Sequence, residues 1–134
     1  MPQTFYAQIL TPEGKLFEGE VQGVQAPGTA GSFEMKADHA PVISTLNIGP
    51  VRVETADSDV LYFAVTGGFV EMNDNQMALL AEVAERVEDI DAERAMRART
   101  RALERLMKED TDRLSTEKAL KRAENRLKLI EERG

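Results

Sequence analysis

Apolar residues recur at two intervals along this chain, and the interval changes once, near residue 90. Upstream they alternate. Thr4–Leu10, Lys15–Gln25, Ser32–Lys36, Pro50–Thr55, Val60–Thr66, Phe69–Met72 and Gln76–Val83 carry the two-residue period of half-buried strands. Turn chemistry separates them: Thr11-Pro12-Glu13-Gly14, a loop over Ala26–Gly31, a turn over Ala37–Pro41, and a hairpin connection at Ala56-Asp57-Ser58-Asp59. Gly67-Gly68 is expected to break the chain ahead of Phe69, and Asn73-Asp74-Asn75 to form the next turn. The pattern predicts an all-β N-terminal sandwich or barrel of about eight strands over residues 1–86. A unit this small buries only a thin core, so partners are expected to cover part of it.

Downstream the period becomes helical. Ala92, Ala95, Met96, Ala102, Leu103, Leu106 and Met107 fall on one expected stripe, and Leu120, Ala123, Leu127 and Ile130 on a second. Asp91 is placed to cap the first helix and Asp112 the second, with Glu109-Asp110-Thr111-Asp112 as the connection. Residues 87–134 thus read as an antiparallel two-helix hairpin with a shallow seam rich in Ala and Met. Short helices draw most of their stability from tertiary packing, so such a hairpin is a credible moving part. Met35, Met72, Met77, Met96 and Met107 are expected to fill the cores of the two parts.

Composition sharpens the boundary. The first 90 residues hold all seven aromatics, all five prolines and eight of the nine glycines, and carry 4 Lys+Arg against 14 Asp+Glu, a net of −10. Residues 91–134 carry 13 against 10, a net of +3. This asymmetry points to two modules with separate partners, and the acidic first half argues against nucleic acid as one of them. With no cysteine there is no disulfide or thiolate metal site. No apolar run approaches the ~18 residues of a membrane span, so membrane association is expected to run through a partner.

Little here resembles a catalyst. His39 is the sole histidine and reads as a turn or interface residue. There is no P-loop, and Gly67-Gly68 alone reads as a tight bend. The strongest chemical signal is basic. Arg94, Arg97, Arg101, Arg105 and Lys108 form one helix face, and Lys118, Arg122 and Arg126 another. A solvated face balanced by neighbours such as Glu124 with Lys128 accounts for the pattern. The alternative is an anion or acidic-partner site, since the guanidinium fork grips phosphate or carboxylate at two points.

The order of parts resembles the epsilon subunit of bacterial F-type ATP synthases over nearly the whole chain. Gly31-Ser-Phe-Glu-Met-Lys-Ala-Asp-His-Ala-Pro-Val-Ile, Leu46-Asn-Ile-Gly-Pro-Val and Val65-Thr-Gly-Gly-Phe-Val-Glu carry the resemblance. It implies a non-catalytic central-stalk subunit, peripheral to the cytoplasmic side of the inner (plasma) membrane. Its sandwich would bind the gamma subunit and the c-subunit ring, with Ser32, Asp38, His39, Ala40 and Pro41 at that interface. Many family members have Gly-Glu-Leu-Gly-Ile where this chain has Gly31-Ser32-Phe33-Glu34-Met35, a departure that bears on the ring contact. The hairpin would fold beside the sandwich or extend toward an acidic segment of the catalytic beta subunits and inhibit hydrolysis. A subset of the family binds ATP through Ile/Leu-Asp-x-x-Arg-Ala, matched by Ile90, Asp91, Arg94 and Ala95. Glu85, Arg101, Arg122 and Arg126 match further elements of that site, so the resemblance implies ATP as a regulatory ligand and no obligatory cofactor. The bare pattern, without the resemblance, also allows an adapter or chaperone-like module that binds no nucleotide.

Overall fold

The computed structural model describes residues 3–108 and 112–133. These form two compact units, residues 1–86 and 87–134. The first contains seven strands: β1 (Phe5–Thr11), β2 (Gly14–Gly28), β3 (Gly31–Lys36), β4 (Val42–Thr55), β5 (Val60–Asn73), β6 (Gln76–Ala81) and β7 (Ala84–Arg86). Their order is β1-β6-β5-β4-β2-β3, with β7 on β5, and β1 also pairs with β2. That last pairing closes the sheet on itself, so β1, β6, β5, β4 and β2 form a continuous ring of strands. β1 and β6 are parallel and the other pairs antiparallel.

The alternation in the sequence becomes the wall of the core. Phe5, Ala7 and Ile9 of β1 point inward, as do Val51 and Val53 of β4, Met77 and Leu79 of β6, and Val70 and Met72 of β5. Met35, Met72 and Met77 are buried as expected. Phe63 sits against Phe17 edge to face, ring centroids 6.3 Å apart.

Several strands run longer than their periodicity indicates. β5 continues through Gly67-Gly68 without a break. Both glycines have positive φ (115° and 120°), and a Cβ on Gly68 would collide with the Leu80 carbonyl. Here β5 exchanges its neighbour: Phe63–Val65 pair with β7, while Gly68–Asn73 pair with β6. The glycines bend one strand where the sequence suggested two. Likewise β2 and β3 run into Ala26–Gly31, leaving only Thr29 and Ala30 between them. β4 begins at Val42, upstream of Pro50. Pro27 and Pro50 are accommodated because the β2–β4 pairing shifts between Gln25↔Arg52 and Gly28↔Leu46, where the ladder asks for no regular donor. At the far end, β6 stops at Ala81, short of Val83, and β7 follows. Two expected strands merge in β5 and β7 is additional, so the described residues form seven strands where about eight were expected.

The second unit opens with a 3₁₀ turn, η1 (Val87–Asp89), followed by α1 (Ala92–Leu106) and α2 (Arg113–Arg133). Asp91 caps α1, its carboxylate accepting from Arg94 N–H at 3.1 Å. Asp112 caps α2, accepting from Ser115 N–H at 3.1 Å. Glu109, Asp110 and Thr111 of the expected connection lie outside the described residues. The α1 stripe is rotated from its expected position. Ala95, Ala98, Ala102 and Leu106 face inward, whereas Ala92, Met96, Leu103 and Met107 are exposed, Met96 by 59% and Met107 by 87%. Alanines let the helices approach closely along a narrow line, and the longer side chains fall outside it. On α2, Thr116, Ala123 and Leu129 are buried, with Leu120, Leu127 and Ile130 half-buried beside them. η1 packs against α2.

Candidate functional site

Two helix faces bring cations together. Arg101 and Arg105 of α1 and Arg122 of α2 line one cleft of about 210 Å³ between the helices, with Ala98, Ala102 and Ala119 beside them and Ser115 and Thr116 at its α2 end. Among the described residues, none of the three guanidiniums has a carboxylate partner. The Thr116 hydroxyl donates to Asp112 C=O at 2.8 Å, a bond that does not use its acceptor lone pairs. Like charges without counter-charge in a shared cleft repel one another, and an anion relieves that repulsion.

Other arginines are spoken for. Arg97 meets Glu93 at 3.9 Å on the exposed side of α1. Arg99 reaches Glu124 across the hairpin at 3.8 Å, where an i,i+4 pairing of Glu124 with Lys128 was expected. The Arg113 guanidinium donates to the Leu106 carbonyl at 3.0 Å, so it ties off the C-terminal end of α1.

The ATP-site residues fall into groups. Arg101 and Arg122 share the cleft. Arg94 lies two turns before Arg101 and is exposed; Arg126 lies one turn beyond Arg122 and is half-buried. With Arg99 opposite Glu124 in an antiparallel pair, the Arg94–Arg97 turn is level with Arg126. Ala95 is buried in the seam, so close helix packing by itself requires a small side chain there. Asp91 is engaged as a cap, and Ile90 donates its N–H to Val87 C=O at 3.3 Å. Glu85 belongs to the first unit, half-buried on β7 opposite Ala64. Arg105, Ser115 and Thr116 were not assigned to this site from sequence. Arg105 was visible there only as one more member of the basic face. Ser115 and Thr116 gave no signal, because their place depends on which face of α2 meets α1.

The expected interface residues of the first unit separate. Ser32 lies at the start of β3, next to the Gly28↔Gly31 turn. Asp38–Pro41 lie past the opposite end of the same strand. His39 N–H bonds Lys36 C=O at 3.1 Å, and its Nδ1–H donates to Ala40 C=O at 2.7 Å, leaving Nε2 for another partner. Beside them Ile43 is 75% exposed.

Residues 4–87 match the family described as ATP synthase, Delta/Epsilon chain, beta-sandwich domain, and residues 88–131 match its long alpha-helix domain. The chain belongs to the ATP synthase epsilon-chain family. Among relatives, the ATP synthase epsilon chain of Shouchella clausii is 39% identical over 133 residues, covering 98% of each chain. That of Salinibacter ruber is 44% identical over 114 residues, 79% of this chain and 76% of its own. The fold resembles a chain in the mitochondrial ATP synthase of Euglena gracilis, with a TM-score of 0.83 at 20% identity, covering 93% of this chain and 80% of that one. It also resembles one in the central stalk and c-ring of the Tetrahymena thermophila enzyme, with a TM-score of 0.63 at 18% identity, covering 97% and 96%. As an epsilon chain, this protein is a non-catalytic regulatory subunit with a general role in coupling and inhibition. No helix among the described residues is long and apolar enough to cross a membrane.

Proposed function

We propose that the first unit anchors this subunit in the central stalk, on the gamma subunit and the c-ring, and that the hairpin is a nucleotide-sensitive brake on ATP hydrolysis. The complex would sit peripherally on the cytoplasmic side of the membrane. The observation that carries the nucleotide reading is the cleft of three arginines, without carboxylate partners among the described residues, two of which, Arg101 and Arg122, belong to the ATP-site pattern. At about 210 Å³ the cleft is smaller than the ~300–1,000 Å³ clefts that bury a whole drug-sized ligand. It therefore takes the phosphate end of ATP, and the base lies outside it, toward Ile90 and Asp91. Phosphate oxygens would accept from Arg101 and Arg122, with Arg94 and Arg126 at the neighbouring level. Glu85 and Asp91 carry negative charge and would serve the adenine amino group or hold an arginine. The described residues that line the cleft include no carboxylate and no histidine, and ATP acts there as a ligand that is not consumed.

The hairpin's packing supports its mobility. A seam of alanines buries little apolar area, so the folded form gains little from it. Met96, Leu103 and Met107, spaced by seven and four, form a second apolar stripe that the folded hairpin leaves exposed. An extended hairpin would cover that stripe against another subunit and bring its basic faces to an acidic segment of beta. A ligand specific to the folded form, at a hundred times its dissociation constant, stabilises that form by about 2.7 kcal/mol. ATP would thus hold the brake off when abundant, provided it distinguishes the two forms.

The test is hydrolysis by a reconstituted complex with and without residues 91–134. Removal is expected to raise the rate at low ATP and to change it little at high ATP. An equal rise at both concentrations supports a brake that does not sense nucleotide, and failure of the chain to associate with gamma removes the stalk reading.

A further inference from the structure

We infer that Asn75 is a positioning residue for the His39 loop, and that the β5–β6 turn and the Asp38–Pro41 loop form one preorganised contact surface. The two segments are 37 residues apart in sequence, yet they are joined by a reciprocal pair of hydrogen bonds. Asp38 N–H donates to Asn75 Oδ1 at 2.6 Å, and Asn75 Nδ2 donates to Asp38 Oδ1 at 3.0 Å. The Asn75 amide thus serves both the backbone and the side chain of Asp38.

Asn75 is itself well anchored. It follows Asp74 in the two-residue turn that joins Asn73 to Gln76, and both turn residues are left-handed (φ 50° and 60°) as such a hairpin requires. Its carbonyl accepts from Tyr6 N–H at 3.0 Å, which ties the turn to β1. Asp38 is also left-handed (φ 64°), an uncommon conformation for a residue with a side chain. The clamp from Asn75 holds that conformation and directs the chain into His39, Ala40 and Pro41. Fixing a loop in its bound shape beforehand removes an ordering cost at association. The partner side of this inference rests on the proposed c-ring contact of the His39 loop.

The test uses substitutions that respect the backbone. Asn75→Gly tolerates the left-handed turn and deletes both bonds. Asn75→Asp keeps an acceptor for Asp38 N–H but sets two carboxylates against each other, and the double variant Asp38→Asn, Asn75→Asp restores the side-chain bond with its polarity reversed. In the full chain, amide exchange at Asp38 should accelerate about tenfold in Asn75→Gly while β4 and β5 stay protected. Affinity for a purified gamma–c-ring complex should fall about tenfold in Asn75→Gly and Asn75→Asp, and recover in the swapped pair. Unchanged exchange at Asp38 overturns the clamp. Ala40→Glu separates the two levels of the claim. If Ala40→Glu weakens binding and the Asn75 variants do not, the positioning role is wrong and the contact reading stands. If none of them weakens binding, the contact reading fails and the role in docking fails with it.

Discussion

A cluster of three side chains on the first unit gives this protein a pH signature that a charge count does not reveal. Glu18 accepts from Lys15 Nζ at 2.8 Å and from the Tyr6 hydroxyl. Those donors, Lys15 first, hold its carboxyl below the ordinary carboxylate range. The same hydrogen bonds to Glu18 raise Lys15 and Tyr6 above their ordinary ranges. Glu18 therefore adds stability above the ordinary carboxylate range, and loses it as pH falls through its lowered folded value. Lys15 and Tyr6 add theirs below their ordinary values, and lose it as pH rises through the raised ones. Thermal melts of Glu18→Gln should lie slightly below the parent at neutral pH and converge with it in acid. The shift is small because the cluster is solvated. Gly68→Ala is the opposite case: its Cβ meets the Leu80 backbone at the end of the β5–β6 ladder, and the expected cost is about 3 kcal/mol or more, read by denaturant unfolding.

At the scale of elements, the sequence was most legible where one rule governs. Asp91 and Asp112 cap their helices as their positions indicate, because capping is a local interaction. The Asn73-Asp74-Asn75 turn and the inward face of β1 were equally readable. Errors arose where two neighbours compete. Gly67-Gly68 looks like a break in one dimension, but in the sheet it is the bend at which β5 changes partner. The α1 stripe was misplaced because a line of alanines and a line of methionines and leucines run side by side, and periodicity does not say which one the partner helix selects. The cap of α1 offers a clean separation of structure from ligand. Asp91→Ala should cost about 1 kcal/mol of α1 stability, read by amide exchange in its first turn. Asp91→Asn should keep the cap, so any loss of ATP affinity in it reports the carboxylate itself. The exposed stripe has its own test. Leu103→Gln with Met107→Gln should leave the folded hairpin as stable as before and relieve inhibition at low ATP, if that stripe is what the extended form buries.

Across the whole molecule the two units carry different chemistry, and the charge division from −10 to +3 follows their boundary closely. The first is a closed ring of strands whose surface loops are fixed by hydrogen bonds; the second is a thinly packed hairpin with an arginine-lined cleft. A rigid anchor and a loosely held arm are what a stalk subunit with a ligand-controlled brake requires. Arg101 and Arg122 were visible in sequence as members of two basic faces, but only the family pattern joined them, since residues 21 apart on different helices share no local signal. Their common cleft is a property of the antiparallel register, set in part by Arg99 across from Glu124. Calorimetric titration of the full chain with ATP tests this account most directly, with Arg101→Ala and Arg122→Ala alongside. Saturable binding that weakens about tenfold or more in each variant is the predicted result, in line with a lost charge-assisted hydrogen bond of about 1.5–3 kcal/mol. No saturable heat at millimolar ATP, or equal affinity in all three proteins, would contradict it.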